Sequence, residues 1–95
     1  MLFEWDHQKS DANLEERGFD FAFATLVFDG PTPEKRDTRR DYGEQRVLAV
    51  GAADGIHLTV VYTDRAARTG TVRRIISARR SDQREREAYR EAIQR

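Results

Sequence analysis

The sequence predicts an α+β fold, a small antiparallel sheet with two N-terminal helices and one C-terminal helix in the order β-α-α-β-β-β-α. Three observations lead to it. Two apolar runs, Val47-Leu48-Ala49-Val50 and residues 56–62, flank Asp54-Gly55, a pair that favours a two-residue type I′ hairpin turn. Charged, capped segments with helix signals lie on either side of these runs, between Asp6 and Gly18 and from Asp82 onward. The 95 residues are 38% hydrophobic, with five Phe, three Tyr and one Trp, enough for one thin core and no second, so residues 1–95 form a single domain.

Phe3-Glu4-Trp5 opens the chain as a short strand. Asp6 then caps a polar helix over residues 7–17; Gly18 stops it, and Phe19 supplies the apolar contact that accompanies a glycine C-cap. Residues 20–28 carry two periods. Phe21, Phe23, Thr25 and Val27 alternate as in a strand, whereas Phe21, Ala24, Thr25 and Phe28 share a helical face; the helix is preferred, with Asp20 as its N-cap. Asp29-Gly30-Pro31 breaks it, and residues 32–43, charged and almost without apolar side chains, read as a long exposed loop. The hairpin follows, then a polar loop over 64–70 and a third strand over 71–78. A last helix over 82–94 has Asp82 and Glu85 as a capping-box pair and Ala88, Tyr89, Ala92 and Ile93 as its apolar stripe.

Placing Asp54 and Gly55 in the turn pairs Ala53 with Ile56, Leu48 with Val61, Val47 with Tyr62 and Arg46 with Thr63. Val47, Ala49, Ile56, Leu58, Val60 and Tyr62 then form an apolar face for the helices, while Arg46, Leu48, Val50, His57, Thr59 and Val61 form a half-polar one. Pairing Thr63 with Thr71 adds Arg73, Ile75, Ser77 and Arg79 to the half-polar face and turns Arg74 into the apolar face beside Val72 and Ile76. A buried unpaired guanidinium is costly, so either Arg74 reaches a carboxylate or phosphate at the sheet rim or a bulge in the 64–70 connection shifts the register.

Net charge is zero but divided: residues 1–34 hold two basic and eight acidic side chains, residues 35–95 fifteen basic and nine acidic. Fifteen of the seventeen basic residues are Arg, whose planar fork suits bidentate contact with phosphate or carboxylate. With no Cys, disulfides, a thiol nucleophile and a Cys-based zinc site are excluded, and two His argue against a His-rich metal site. No run approaches the ~18–20 apolar residues of a membrane span, and the acidic, aromatic start is unlike a signal peptide, so a cytoplasmic protein is expected.

Arg46, Arg73 or Arg74, Arg79 and Arg80 around one sheet would suit phosphodiester binding, because several donors must surround a phosphate whose charge grows in the transition state. Surface arginines with Glu partners would give the same pattern. His57 is the one His of the sheet, either a solvated cross-strand residue or an acid-base group. Glu44, two positions before Arg46, is either its charge partner or the acceptor of a ribose 2′-hydroxyl proton, and Tyr89 is either core or a platform for a base.

Four segments together resemble the BrnT toxins of type II toxin-antitoxin systems, whose fold is similar to that of the RelE-type ribonucleases. They are Phe3-Glu4-Trp5-Asp6 with Lys9; Asn13-Leu14 before Gly18-Phe19; Glu44 with Arg46 opening a strand that ends in Val50-Gly51; and Arg74-Ile75-Ile76-Ser77-Ala78-Arg79, followed by Glu85-Arg86 and Tyr89. The chain departs from the family pattern in having Glu16-Arg17 for a Lys-His pair and Arg80 for a Lys.

The resemblance implies a metal-independent, cofactor-free endoribonuclease that cleaves messenger RNA, slows translation and is neutralised by a BrnA-like antitoxin, with DNA reached only through that antitoxin. It assigns Glu44, Arg46, Arg74 and Arg79 to catalysis, with Glu44 as base, and Lys9, Arg73, Arg80 and Tyr89 to RNA binding. Arg is a poor proton carrier at neutral pH, which favours positioning and charge stabilisation over a strong acid-base pair. The rival reading is a non-enzymatic module that docks an antitoxin or acts in repression, its RNA site decayed.

Overall fold

The computed structural model describes residues 1–94, and the chain enters its fold through β1 (Leu2–Trp5) and α1 (His7–Arg17). The Asp6 side chain accepts hydrogen bonds from the Gln8 and Lys9 amides, and Gly18 closes α1 at φ 85°, donating to the Leu14 carbonyl. Polar α1 docks through hydrogen bonds instead of an apolar stripe: buried Ser10 accepts from the Phe21 amide at 3.0 Å, and buried Asn13 donates to the Phe19 carbonyl at 2.9 Å. These bonds hold the entry to α2 (Phe21–Ala24), which Asp20 caps and which tightens into a 3₁₀ turn over Thr25–Asp29. The change to three residues per turn buries Phe21, Ala24 and Val27, so the expected helix is present in tighter form.

Four further strands and a helix follow: β2 (Glu34–Arg36), β3 (Val47–Ala53), β4 (Ile56–Ala67), β5 (Gly70–Arg80) and α3 (Gln83–Ile93). The strand order is β1-β5-β4-β3-β2. The β3–β4 register pairs Ala53 with Ile56, Leu48 with Val61 and Val47 with Tyr62, as the turn predicts, and Asp54 and Gly55 both have positive φ. Three expectations are corrected. Residues 34–36, read as loop, form an edge strand against residues 47–49. The polar stretch 64–70 is not a loop, since β4 and β5 continue to a tight turn that pairs Ala67 with Gly70. The sheet is also mixed, because β1 runs parallel to β5, pairing Glu4 with Arg74.

The third-strand register differs as well. Thr63 pairs with Arg74 and not Thr71, and the bulge lies within β5 at Ile76, between the Val61–Ser77 and Tyr62–Ile75 pairs. Counting back from Ala78, an unbulged strand would turn Ile76 and Arg74 into the core face. The extra residue sends Ile75 and Arg73 there instead. On that face Phe19, Phe21, Ala24 and Val27 pack against Ala49, Leu58, Val60, Tyr62, Ile75 and Ala78. The opposite face holds Leu48, Val50 and Val61, with Ile76 and Tyr89 of α3 packed against them. Gly51 lets the 3₁₀ turn lie close against the sheet, since a Cβ there would lie 2.7 Å from the Val27 Cβ.

α3 begins as predicted, with Asp82 and Glu85 forming the reciprocal capping box. Its expected apolar stripe is only partly used: Tyr89 is half-buried, whereas Ala88, Ala92 and Ile93 are exposed.

Candidate functional site

Alternation along β3, β4 and β5 distributes the predicted site residues over both faces of the sheet. Arg46 immediately precedes β3, and one further step of the β3–β4 register sets it opposite Thr63, which pairs with Arg74. Arg46 and Arg74 thus flank Thr63 on the half-polar face, roughly 10 Å apart across two strand spacings. Arg79 shares this face but pairs with Thr59, four residues along β4 and therefore about 13 Å from that row. Leu48, Val61 and Ile76 fill the interval under Tyr89.

Two residues leave the predicted constellation. The bulge puts Arg73, expected on the half-polar face, on the core face. There Asp64 accepts its fork at 2.8 and 2.9 Å and the Tyr62 ring lies 3.9 Å from its guanidinium carbon. The alternative of a buried, unpaired Arg74 does not arise. Arg80 pairs with core residue Leu58, so it follows the core face, away from Arg79, at the exposed strand end; exposed Lys9 sits on α1 on that side too. Tyr89 meets the His57 ring edge-on at 5.2 Å and covers the sheet, which gives both residues packing partners. Arg17, at the family's usual Lys-His pair, ties α1 to β5 by donating to the Ala78 carbonyl at 3.0 Å.

Carboxylates engage each arginine proposed for catalysis. Glu44 Oε2 lies 3.0 Å from Arg46 Nε, and Glu4 Oε2 lies 3.6 Å from Arg74 Nη1. Glu4 also accepts from Arg65, and that bond holds its carboxyl below the usual range. Glu85 grips Arg79 through two bonds of 2.7 Å while also accepting from the Asp82 amide at 2.8 Å. The Arg79 hydrogen bonds hold the Glu85 carboxyl down at about 2. Arg79 is therefore held in a fixed orientation at the start of α3, its side chain 41% exposed.

The sequence reading missed a cluster in residues 36–46. Asp37, its side chain 2% exposed, accepts bonds of 2.8 Å from both Arg39 Nε and Arg39 Nη2, which hold its carboxyl down at about 2. The Tyr42 hydroxyl donates to the same carboxylate at 3.3 Å, and the Arg46 guanidinium lies 4.1 Å from the Tyr42 ring centroid. The available signal was Tyr42, one aromatic among arginines in an otherwise charged segment.

Across this geometry a family model, described as the ribonuclease toxin BrnT of type II toxin-antitoxin systems, matches residues 5–85. The chain belongs to the BrnT family. The match runs from Trp5, the last residue of β1, through the first turn of α3, so it takes in Arg46, Arg74 and Arg79 of the half-polar face. Membership makes the chain a ribonuclease toxin of a type II toxin-antitoxin system, with RNA as target and an antitoxin as partner. No curated protein matches the chain at the significance required. Among the described residues no helix is long and apolar enough to cross a membrane.

Proposed function

We propose that this BrnT-family chain is a metal-independent endoribonuclease that cuts messenger RNA in the cytoplasm and is silenced by a BrnA-like antitoxin. The observation that carries the reading is the Arg46–Thr63–Arg74 row on the half-polar face, with the Glu44 carboxylate hydrogen-bonded to Arg46. Two guanidinium groups about two strand spacings apart reach one phosphate between them, and a carboxylate beside one of them serves as the proton acceptor. In the proposed step, Glu44 takes the proton of a ribose 2′-hydroxyl. The 2′-oxygen forms a bond to the adjacent phosphorus, and the bond to the 5′-oxygen breaks. That leaving oxygen takes a proton from solvent. Arg46 and Arg74 stabilise the charge that builds on the phosphoryl oxygens.

Arg79, about 13 Å along the face, holds a phosphate further along the strand and not the reacting one. An antitoxin covering this face with acidic segments would compete for the same guanidinium groups. Cationic side chains supply the charge this chemistry needs. Among the described residues no group of three or more His, Asp or Glu is arranged to hold a metal ion.

The engagement of all these arginines by carboxylates favours one second reading, a module that binds an antitoxin without cutting RNA. Incubating the purified chain with messenger RNA in excess chelator, and expressing it with and without antitoxin, separates the two. Cleavage that survives chelation, with growth arrest relieved by the antitoxin, is the expected result. Intact RNA and normal growth at confirmed soluble expression would establish the binding module instead.

A further inference from the structure

Between β2 and β3 the chain turns around one buried carboxylate. Asp37 accepts from Arg39 and Tyr42, and its own amide donates to the Arg46 carbonyl at 2.8 Å. These bonds fix the Tyr42 ring at the edge of the sheet, beside an open hollow of about 320 Å³. Two guanidinium groups address the ring, that of Arg46 at 4.1 Å from the centroid and that of Arg40 at 5.3 Å. Of the three carboxylates lining the hollow, Asp37 is taken by Arg39, Glu44 by Arg46, and Asp41 accepts from the Gly43 amide at 2.9 Å. Among the described residues, Arg36 and Arg40 have no carboxylate within 4.0 Å, although both line the hollow. A half-buried ring whose hydroxyl is anchored, with unpaired cations around it, has the parts of a stacking platform with phosphate contacts.

The geometry points to a nucleotide pocket in residues 36–46 that takes one unpaired base of single-stranded RNA against Tyr42, with the flanking phosphates on Arg36 and Arg40. The inference rests on the RNA-cleaving reading and extends it to a substrate class. The exposed Arg40 gives way to the base, since a guanidinium and a base stack on the same ring face. Arg46 belongs both to the pocket and to the row with Arg74, so the strand passes from the pocket directly to the proposed scissile phosphate. A base held in a duplex cannot enter, because it would first have to leave its stack. The volume suits a single nucleotide, being near the lower end of small-ligand sites.

The test uses the full chain and a 2′-O-methyl RNA decamer, which binds without being cut, carrying 2-aminopurine at each position in turn. The expected result is quenching at one position, lost in Tyr42→Ala and kept in Tyr42→Phe, with affinity about tenfold weaker for the alanine variant. Arg40→Ala, which removes an exposed side chain and leaves the ring in place, should lower the slope of log affinity against log salt by about 0.7. Unchanged quenching and affinity in both alanine variants, while Arg79→Ala weakens binding, would overturn the pocket and leave the ribonuclease reading standing. Equal competition by a duplex of the same sequence would overturn the single-strand assignment. A parent chain that binds no RNA, or binds only an acidic peptide at this loop, would remove the pocket and the reading together.

Discussion

At the scale of single residues, the pairing of Arg79 with Glu85 sets what the half-polar face can do. The guanidinium is fixed by two 2.7 Å bonds to Glu85, so an RNA phosphate shares it with a carboxylate or displaces that carboxylate. Replacing Arg79 with Ala should weaken RNA binding roughly tenfold at equilibrium and leave the saturated single-turnover rate close to the parent's, while circular dichroism stays native, because the residue holds a non-reacting phosphate at a partly exposed strand end. Lys should restore only part of the affinity, having no bidentate fork. Glu85→Gln keeps the capping box and frees the fork, so it should tighten RNA binding measured at equilibrium. The same carboxylate has a consequence for acid stability. Glu85 and Asp37 are held at about 2, below their ordinary 4.5 and 3.8. A depressed carboxylate contributes stability that is complete above its unfolded-state value and is lost as pH falls through the folded one. The melting temperature should therefore fall as pH drops from about 5 toward 2, and Glu85→Gln should flatten that dependence.

At the scale of elements, the clearest test is Gly51, where strand and 3₁₀ turn meet. A methyl group there would sit 2.7 Å from Val27 Cβ and 3.2 Å from the Val27 carbonyl oxygen, so Gly51→Ala should destabilise the fold by about 1–3 kcal/mol in urea unfolding. The elements that were legible in the sequence are those whose ends carry their own chemistry. Asp6 with Gly18 bounds α1, Asp82 with Glu85 opens α3, and Asp54-Gly55 sets the β3–β4 register. The β4–β5 register was not legible, because Ile75 and Ile76 both suit burial and nothing local says which of them faces the core. Burial of Ile75 against α2 and acceptance of Arg73 by Asp64 and Tyr62 decide it. For the candidate site this parity is decisive, since it puts Arg74 in the row with Arg46 and removes Arg73. β2 was hidden for another reason: a three-residue exposed edge strand, Glu34-Lys35-Arg36, has no apolar alternation to show. Tyr42 and Asp37 escaped notice because their partnership depends on the turn of the loop and not on spacing.

At the scale of the whole molecule, the acidic first third and the basic remainder meet across the sheet, Glu4 of β1 pairing with Arg65 and Arg74. The basic remainder supplies β3, β4, β5 and α3. If RNA neutralises three guanidinium groups on one face, affinity should fall roughly tenfold to twentyfold between 50 and 200 mM salt. Fluorescence anisotropy at several salt concentrations measures this, and a flat profile would remove the phosphate contacts from the account. The parallel pairing of β1 with β5 has a consequence in time. Residues 2–5 find their partners only at residues 72–75, so the sheet cannot close until most of the chain has been synthesised. Until then Glu4 has no Arg74 to orient, and the arginine row is unfinished. A ribosome making this toxin thus holds a chain without its arginine row through most of its elongation.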